Sequence, residues 1–134
     1  MRAHLARIGR VTLAAVAVTL ASLAVFPNSA IWFGTLHAIA VMGLVLMVLP
    51  QRPAMNVALG VAMVALGNAV ALPAFDAPAF AWIGFMTHKP LTEDYVPLFP
   101  WGGMALVGFG VMGWMAAGER ERGCGHSRPV RALS

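Results

Sequence analysis

Four long apolar runs, at roughly 11–26, 31–49, 54–72 and 98–117, constrain this 134-residue chain more than any other feature. A helix crossing the ~30 Å hydrocarbon core of a bilayer needs about 20 mostly apolar residues, because its backbone polar groups must pair within the segment. Each run approaches that length. The chain is 60% apolar and 10% charged, a balance outside that of soluble globular domains. The expected fold is therefore all-α and integral to the membrane, a four-transmembrane-helix bundle. Pro27-Asn28-Ser29 and Pro50-Gln51-Arg52-Pro53 read as tight connections between runs. The third connection, 73–97, is longer and holds Asp76, His88, Lys89, Glu93 and Asp94 among Phe75, Phe80, Trp82 and Phe85. That mixture suits a loop at the membrane interface, where the aromatic residues would seat a short surface or re-entrant helix.

Orientation follows from the basic residues. With four spans, Arg2, Arg7, Arg10, Arg52, Arg120, Arg122, Arg128 and Arg131 share one side and Lys89 alone falls on the other. Arginine and lysine near span ends mark the cytoplasmic face. The expectation is a multi-pass protein of the cytoplasmic (inner) membrane, with a basic N-terminus (1–10) and a basic tail (118–134) inside and the 73–97 loop outside. The net charge of +4 thus reports topology and attraction to anionic lipid, with no pattern for nucleic acid. A cleaved signal peptide is the rival reading of the first run, although the run is long and Asn28 stands where a small residue is expected. The lone Cys124, in Cys124-Gly125-His126, supports neither an internal disulfide nor a zinc site, and no metal is expected.

His37 is the one ionisable side chain inside these runs, and such a group in lipid marks a functional site by default. Gly108-Phe109-Gly110-Val111-Met112-Gly113 satisfies a dinucleotide-binding pattern but lies inside an apolar run, with no strand before it. Close helix packing explains these glycines better, as it does the Gly34/Ala38 and Gly113/Ala117 pairs. No internal repeat is detectable, and the runs carry too few polar groups for a transporter or pore.

The segments Phe33-Gly34-Thr35-Leu36-His37-Ala38-Ile39-Ala40-Val41 and Asp94-Tyr95-Val96-Pro97-Leu98-Phe99-Pro100-Trp101-Gly102 join polar and apolar residues in an order that hydrophobicity alone does not produce. Together with Trp82-Ile83-Gly84-Phe85, they resemble bacterial membrane proteins related to the catalytic domain of heparan-alpha-glucosaminide N-acetyltransferase, over about 11–117. The resemblance implies a multi-span acyltransferase-like fold in which an acetyl group passes from acetyl-CoA on the cytoplasmic side to an amine or amino-sugar acceptor across the membrane. Family members typically begin with an Asp-x-x-Arg-Gly helix and a further helix pair, which includes the histidine credited with transfer. That part has no counterpart here, so the chain resembles the C-terminal part of the domain. The missing helices would come from a partner chain or oligomer, or from a longer version of the gene.

The candidate residues follow. His37 suits either a proton-accepting base and acetyl relay or a hydrogen bond between helices, with Asn56 or Asn68 as partner. Asp94 and Tyr95, just before the fourth run, suit either an acceptor site, holding or deprotonating an amine, or a helix cap and interface anchor. Arg52, or the Arg7 and Arg10 pair, would meet the phosphates of acetyl-CoA, unless it serves orientation alone. Beside the enzyme stands a reading from another class, a non-enzymatic four-helix membrane interaction protein.

Overall fold

A computed structural model describes residues 2–92 and 94–125. These residues form helices and turns without a strand: α1 (Arg2–Val25), α2 (Thr35–Val48), α3 (Pro53–Ala69) and α4 (Leu98–Gly125), with two single-turn 3₁₀ helices, Pro73–Phe75 and Pro78–Phe80, between α3 and α4. The 73–97 connection thus carries two short turns of helix in place of one surface helix. His126, Arg128 and Arg131 lie outside the described residues, as does Glu93.

Helix ends depart from the apolar runs for identifiable reasons. α1 begins at Arg2 and α4 continues to Gly125, because Arg, Ala, Leu and Glu keep a helix going whatever the solvent. α2 starts at Thr35, four residues after the run begins. The backbone before it is diverted: the Ile31 N–H donates to Ser22 Oγ at 2.9 Å, and Gly34 is buried where a Cβ would overlap the Asp94 carboxylate. Among the described residues, α1 and α4 are long and apolar enough to cross a membrane, whereas α2 and α3, also apolar, have 14 and 17 residues.

The principal contacts run from α1 to α2, from α2 to α4 and, most extensively, from α4 to α3. Glycines set the α3/α4 contact. A Cβ at Gly60 would lie 2.5 Å from the Gly103 carbonyl oxygen, and one at Gly103 would lie 2.6 Å from that of Gly60. Gly110 meets Val57 and the Pro53 carbonyl, and Gly113 meets Pro53 and Gln51. Two glycines of the Gly-x-Gly-x-x-Gly segment therefore serve helix packing, while Gly108 faces open space. Asn56, fully buried, donates through Nδ2 to the Pro50 carbonyl at 3.2 Å and to Gln51 Oε1 at 3.3 Å. Gln51 in turn donates to the Phe109 carbonyl at 3.1 Å, tying the α2/α3 turn to α4.

Size is distributed inversely to a soluble core. The buried apolar residues are mainly alanines (Ala15, Ala30, Ala38, Ala40, Ala81), with Met42 and Leu106. Large apolar side chains point outward, among them Leu13 (71% exposed), Val48 (77%) and Met112 (67%). Small residues between helices and large ones outside are the pattern of helices that associate by close packing without a hydrophobic driving force between them.

The connection from α3 to α4 is held by its own backbone. Leu72 N–H donates to the Phe85 carbonyl at 2.9 Å, Leu98 N–H to that of Trp82 at 2.7 Å, and Phe99 N–H to that of Ile83 at 2.8 Å. Residues 82–85 therefore sit between the end of α3 and the start of α4. Gly84 makes this possible: its φ is +106°, and a Cβ there would overlap the Phe99 carbonyl. Phe75, Phe80, Phe85 and Phe99 close over the junction, with ring centroids 4.8–5.8 Å apart at successive contacts.

Candidate functional site

The start of α2 gathers two of the residues that the sequence singles out. Asp94 accepts the Thr35 backbone N–H at 2.7 Å and the Thr35 hydroxyl at 3.0 Å. A carboxylate on a first-turn amide satisfies a donor with no partner inside the helix and meets the positive end of the helix dipole. Asp94 thus caps α2, 59 positions earlier in the chain, rather than the fourth helix, which follows it directly.

Two residues further on, in the same first turn, His37 is half-buried. Its Nδ1 accepts from the Gly34 N–H at 3.4 Å, and its Nε2 lies 3.3 Å from Thr19 Oγ1 on α1. An Nδ1 that accepts assigns the ring proton to Nε2, so the imidazole donates to the threonine. The partner of His37 is therefore Thr19, and neither asparagine fills that role. Asn56 serves the α2/α3 turn, and Asn68 donates to the carbonyl of Val64 in its own helix at 2.7 Å. The Phe33 ring packs on His37 at 5.8 Å between centroids and on Trp82 at 6.4 Å.

Beside this turn lies a cleft of about 350 Å³, lined by Trp32, Phe33, Asp76, His88, Lys89 and Tyr95 among others. Tyr95 contributes to the wall while its hydroxyl donates to the Ala81 carbonyl at 2.8 Å. Burial pushes its phenol above the ordinary value. Asp76 accepts the Thr87 hydroxyl and the Thr87 backbone N–H, each at 2.7 Å, and its carboxyl is held below the usual range first by these bonds and then by nearby His88, 3.7 Å away. The two loop aspartates thus use one device: each takes both the amide and the hydroxyl of a threonine distant in sequence. Thr92 completes the wall by donating to the Ala30 carbonyl at 3.1 Å.

The cleft offers a carboxylate, an ammonium, an imidazole and a phenol against aromatic walls, which suits a small polar ligand with an apolar face. Arg52 is not part of it. That arginine is exposed at the N-terminus of α3, at the far end of α2 from His37. Among the described residues, no three His, Cys, Asp or Glu side chains are placed to hold a metal ion. Thr19, Thr35 and Thr87 carry no sequence signal for their roles, because each pairs with a residue 11 to 59 positions away. Asp76 and Trp32 lay in plain view as a loop acid and an aromatic residue near His37, but nothing local placed them in one cleft.

No curated protein and no solved structure matches the chain. The family of the heparan-alpha-glucosaminide N-acetyltransferase catalytic domain matches residues 1–133, a longer stretch than the motifs around His37 and Asp94 suggest. The half-buried polar turn at His37 and the capping aspartate before α4 fall in the two segments that carry that likeness in sequence, and the chain belongs to the heparan-alpha-glucosaminide N-acetyltransferase catalytic-domain family.

Proposed function

We propose that the chain is a multi-pass membrane protein that takes part in transferring an acetyl group from acetyl-CoA, at its arginine-rich face, to an amine or amino-sugar acceptor at its loop face. Membership of the acetyltransferase family over residues 1–133 carries this reading. The outward display of large apolar side chains supports the membrane part of it. All four helices cross. α2 at about 21 Å and α3 at about 26 Å fall short of the ~30 Å core by themselves. Irregular residues complete both, Ile31 to Gly34 before α2 and Val70 to Leu72 after α3, with key amides satisfied by Ser22 Oγ and the Phe85 carbonyl. Irregular backbone at membrane depth requires such internal partners. The positive-inside rule then puts both termini in the cytoplasm of a bacterial inner membrane.

In the transfer, the acceptor nitrogen attacks the thioester carbonyl, its proton passes to a base, the carbon–sulfur bond breaks, and the thiolate leaves with a proton. His37 is the candidate base. To accept a proton it uses Nδ1, releasing the long and therefore weak contact from the Gly34 N–H while Nε2 keeps its proton on Thr19. Asp94 acts as a positioning residue by fixing the turn that carries His37, Tyr95 orients the acceptor, and Arg52 meets the phosphates of the donor. Further helices, from a partner chain or an oligomer, cover the exposed apolar faces and complete the site.

One observation favours a second reading, a non-enzymatic membrane interaction protein: His37, Asp94 and Tyr95 all spend their polar atoms on the fold. Radiolabelled acetyl-CoA and glucosamine, given to the protein in detergent, separate the two. Transfer that falls at least tenfold in His37→Ala, with helical content unchanged, supports the enzyme with His37 as its base; transfer equal in both proteins would take His37 out of the chemistry, and transfer in neither above background supports the alternative. A cysteine introduced at Lys89 should react with an impermeant thiol reagent on intact cells, and reaction only after lysis would overturn the orientation.

A further inference from the structure

At the end of the molecule opposite the cleft, α1, α2 and α4 line an open cavity of about 530 Å³ that the proposed reaction does not use. Its walls are apolar: Ile8 and Val11 from α1, Ile39 and Gly43 from α2, and Phe109 from α4. Its polar side chains are His4 and Arg7, one helical turn apart on α1 and so on the same face, and no acidic side chain lines it. Arg10, the next basic residue, turns back through Nε to its own helix at the Ala6 carbonyl, leaving Arg7 as the arginine of the cavity.

We infer that this cavity holds one anionic phospholipid, its headgroup phosphate on Arg7 and His4 and an acyl chain along Ile8, Val11 and Ile39. Charge and geometry select that occupant. From His4 to Val11 the wall rises about 10 Å along the helix axis, the passage from headgroup level into hydrocarbon in a membrane-embedded α1. A basic rim over an apolar slot between membrane helices matches both halves of an anionic lipid, and basic pockets at the cytoplasmic ends of such helices bind anionic headgroups. A zwitterionic lipid offers the same chain but adds a cation beside Arg7. Gly43 keeps the slot open: a Cβ there would meet the Ile8 side chain at 3.4 Å and 3.6 Å, so alanine is accommodated, whereas leucine projects into the space.

Native mass spectrometry of the full chain released from detergent, titrated with dioleoyl phosphatidylglycerol or dioleoyl phosphatidylcholine, tests the assignment. The expected result is a saturable one-to-one phosphatidylglycerol adduct that forms at least fivefold more readily than the phosphatidylcholine adduct. Arg7→Ala should weaken it about fivefold, in line with one basic group at a lipid surface. Gly43→Leu should remove it, and Gly43→Ala should keep it. Circular dichroism establishes that each variant is folded. Equal binding of the two lipids, or an adduct indifferent to both Arg7→Ala and Gly43→Leu, would overturn the inference. So would displacement of the lipid by equimolar coenzyme A, which would reassign the basic rim to a soluble phosphate.

Discussion

Gly108 and Gly110 stand two positions apart on α4, on nearly opposite faces, and replacing each with alanine should shift stability in opposite directions. At Gly110 the new Cβ would lie 2.6 Å from Val57 Cγ2, 2.7 Å from the Pro53 carbonyl oxygen and 3.0 Å from the Val57 nitrogen. Two of these three atoms belong to backbone, which cannot swing aside. Overpacking of this kind costs about 1–3 kcal/mol, and the better helix propensity of alanine returns up to about 1 kcal/mol, for a net loss of about 1–2 kcal/mol. At Gly108 nothing lies within 4 Å of the Cβ position. There only the propensity gain applies, about 0.5–1 kcal/mol. The two variants should therefore differ by about 2–3 kcal/mol. Reversible titration with sodium dodecyl sulfate in dodecyl maltoside micelles, followed by circular dichroism, measures the difference. Equal shifts of the same sign would refute the packing account of this glycine-rich segment.

Three further outcomes follow from the loop face. Asp94→Ala should cost about 2 kcal/mol through loss of the α2 cap, and Thr35→Ala about 1 kcal/mol; the double variant in the same titration should cost less than the sum, and strict additivity would mean that the pair does not interact. Tyr95 is the chain's single tyrosine, so the rise in absorbance at 295 nm as pH increases reports it alone. Because its phenol is raised, the neutral form is favoured in the fold: the stabilisation is complete below about pH 10 and is lost as pH rises through the higher folded value, and a midpoint at or below 10 would contradict its burial. Asp76 has the opposite sign. Its stabilisation is present above the unfolded value near 3.9 and is lost as pH falls through the depressed folded value, so exchange protection of the Thr87 amide should hold at pH 5–6 and vanish only in stronger acid.

Much of the helical order was legible in the sequence, because apolar runs of helix-spanning length admit few other structures in lipid. The boundaries were less so. Hydropathy marks where lipid would end, but Glu119 to Arg122 and Arg2 to Arg10 continue as helix beyond it. The start of α2 was invisible for another reason: the group that caps it, Asp94, is 59 residues away, and sequence neighbours of Asp94 point instead to the helix that follows it. His37 stood out at once as an ionisable group among apolar residues. Its partner did not, since Thr19 on α1 reads as one of many small polar residues, whereas Asn56 and Asn68 looked the better candidates. The cleft was the least legible part, assembled from the connection before α2 and both ends of the long loop. Small buried residues against large exposed ones, finally, are a property of three-dimensional faces and show only once the helices are placed.

Sided transfer in sealed proteoliposomes tests whether the acetyl group crosses the membrane by way of His37. Vesicles oriented with the Arg52 face outward, carrying glucosamine inside, receive radiolabelled acetyl-CoA outside. Labelled N-acetylglucosamine should appear in the lumen with wild-type protein and fall at least tenfold with His37→Ala at equal reconstitution. Label confined to the outside, or a luminal product that persists undiminished in the variant, would contradict acetyl transfer across the membrane by way of His37.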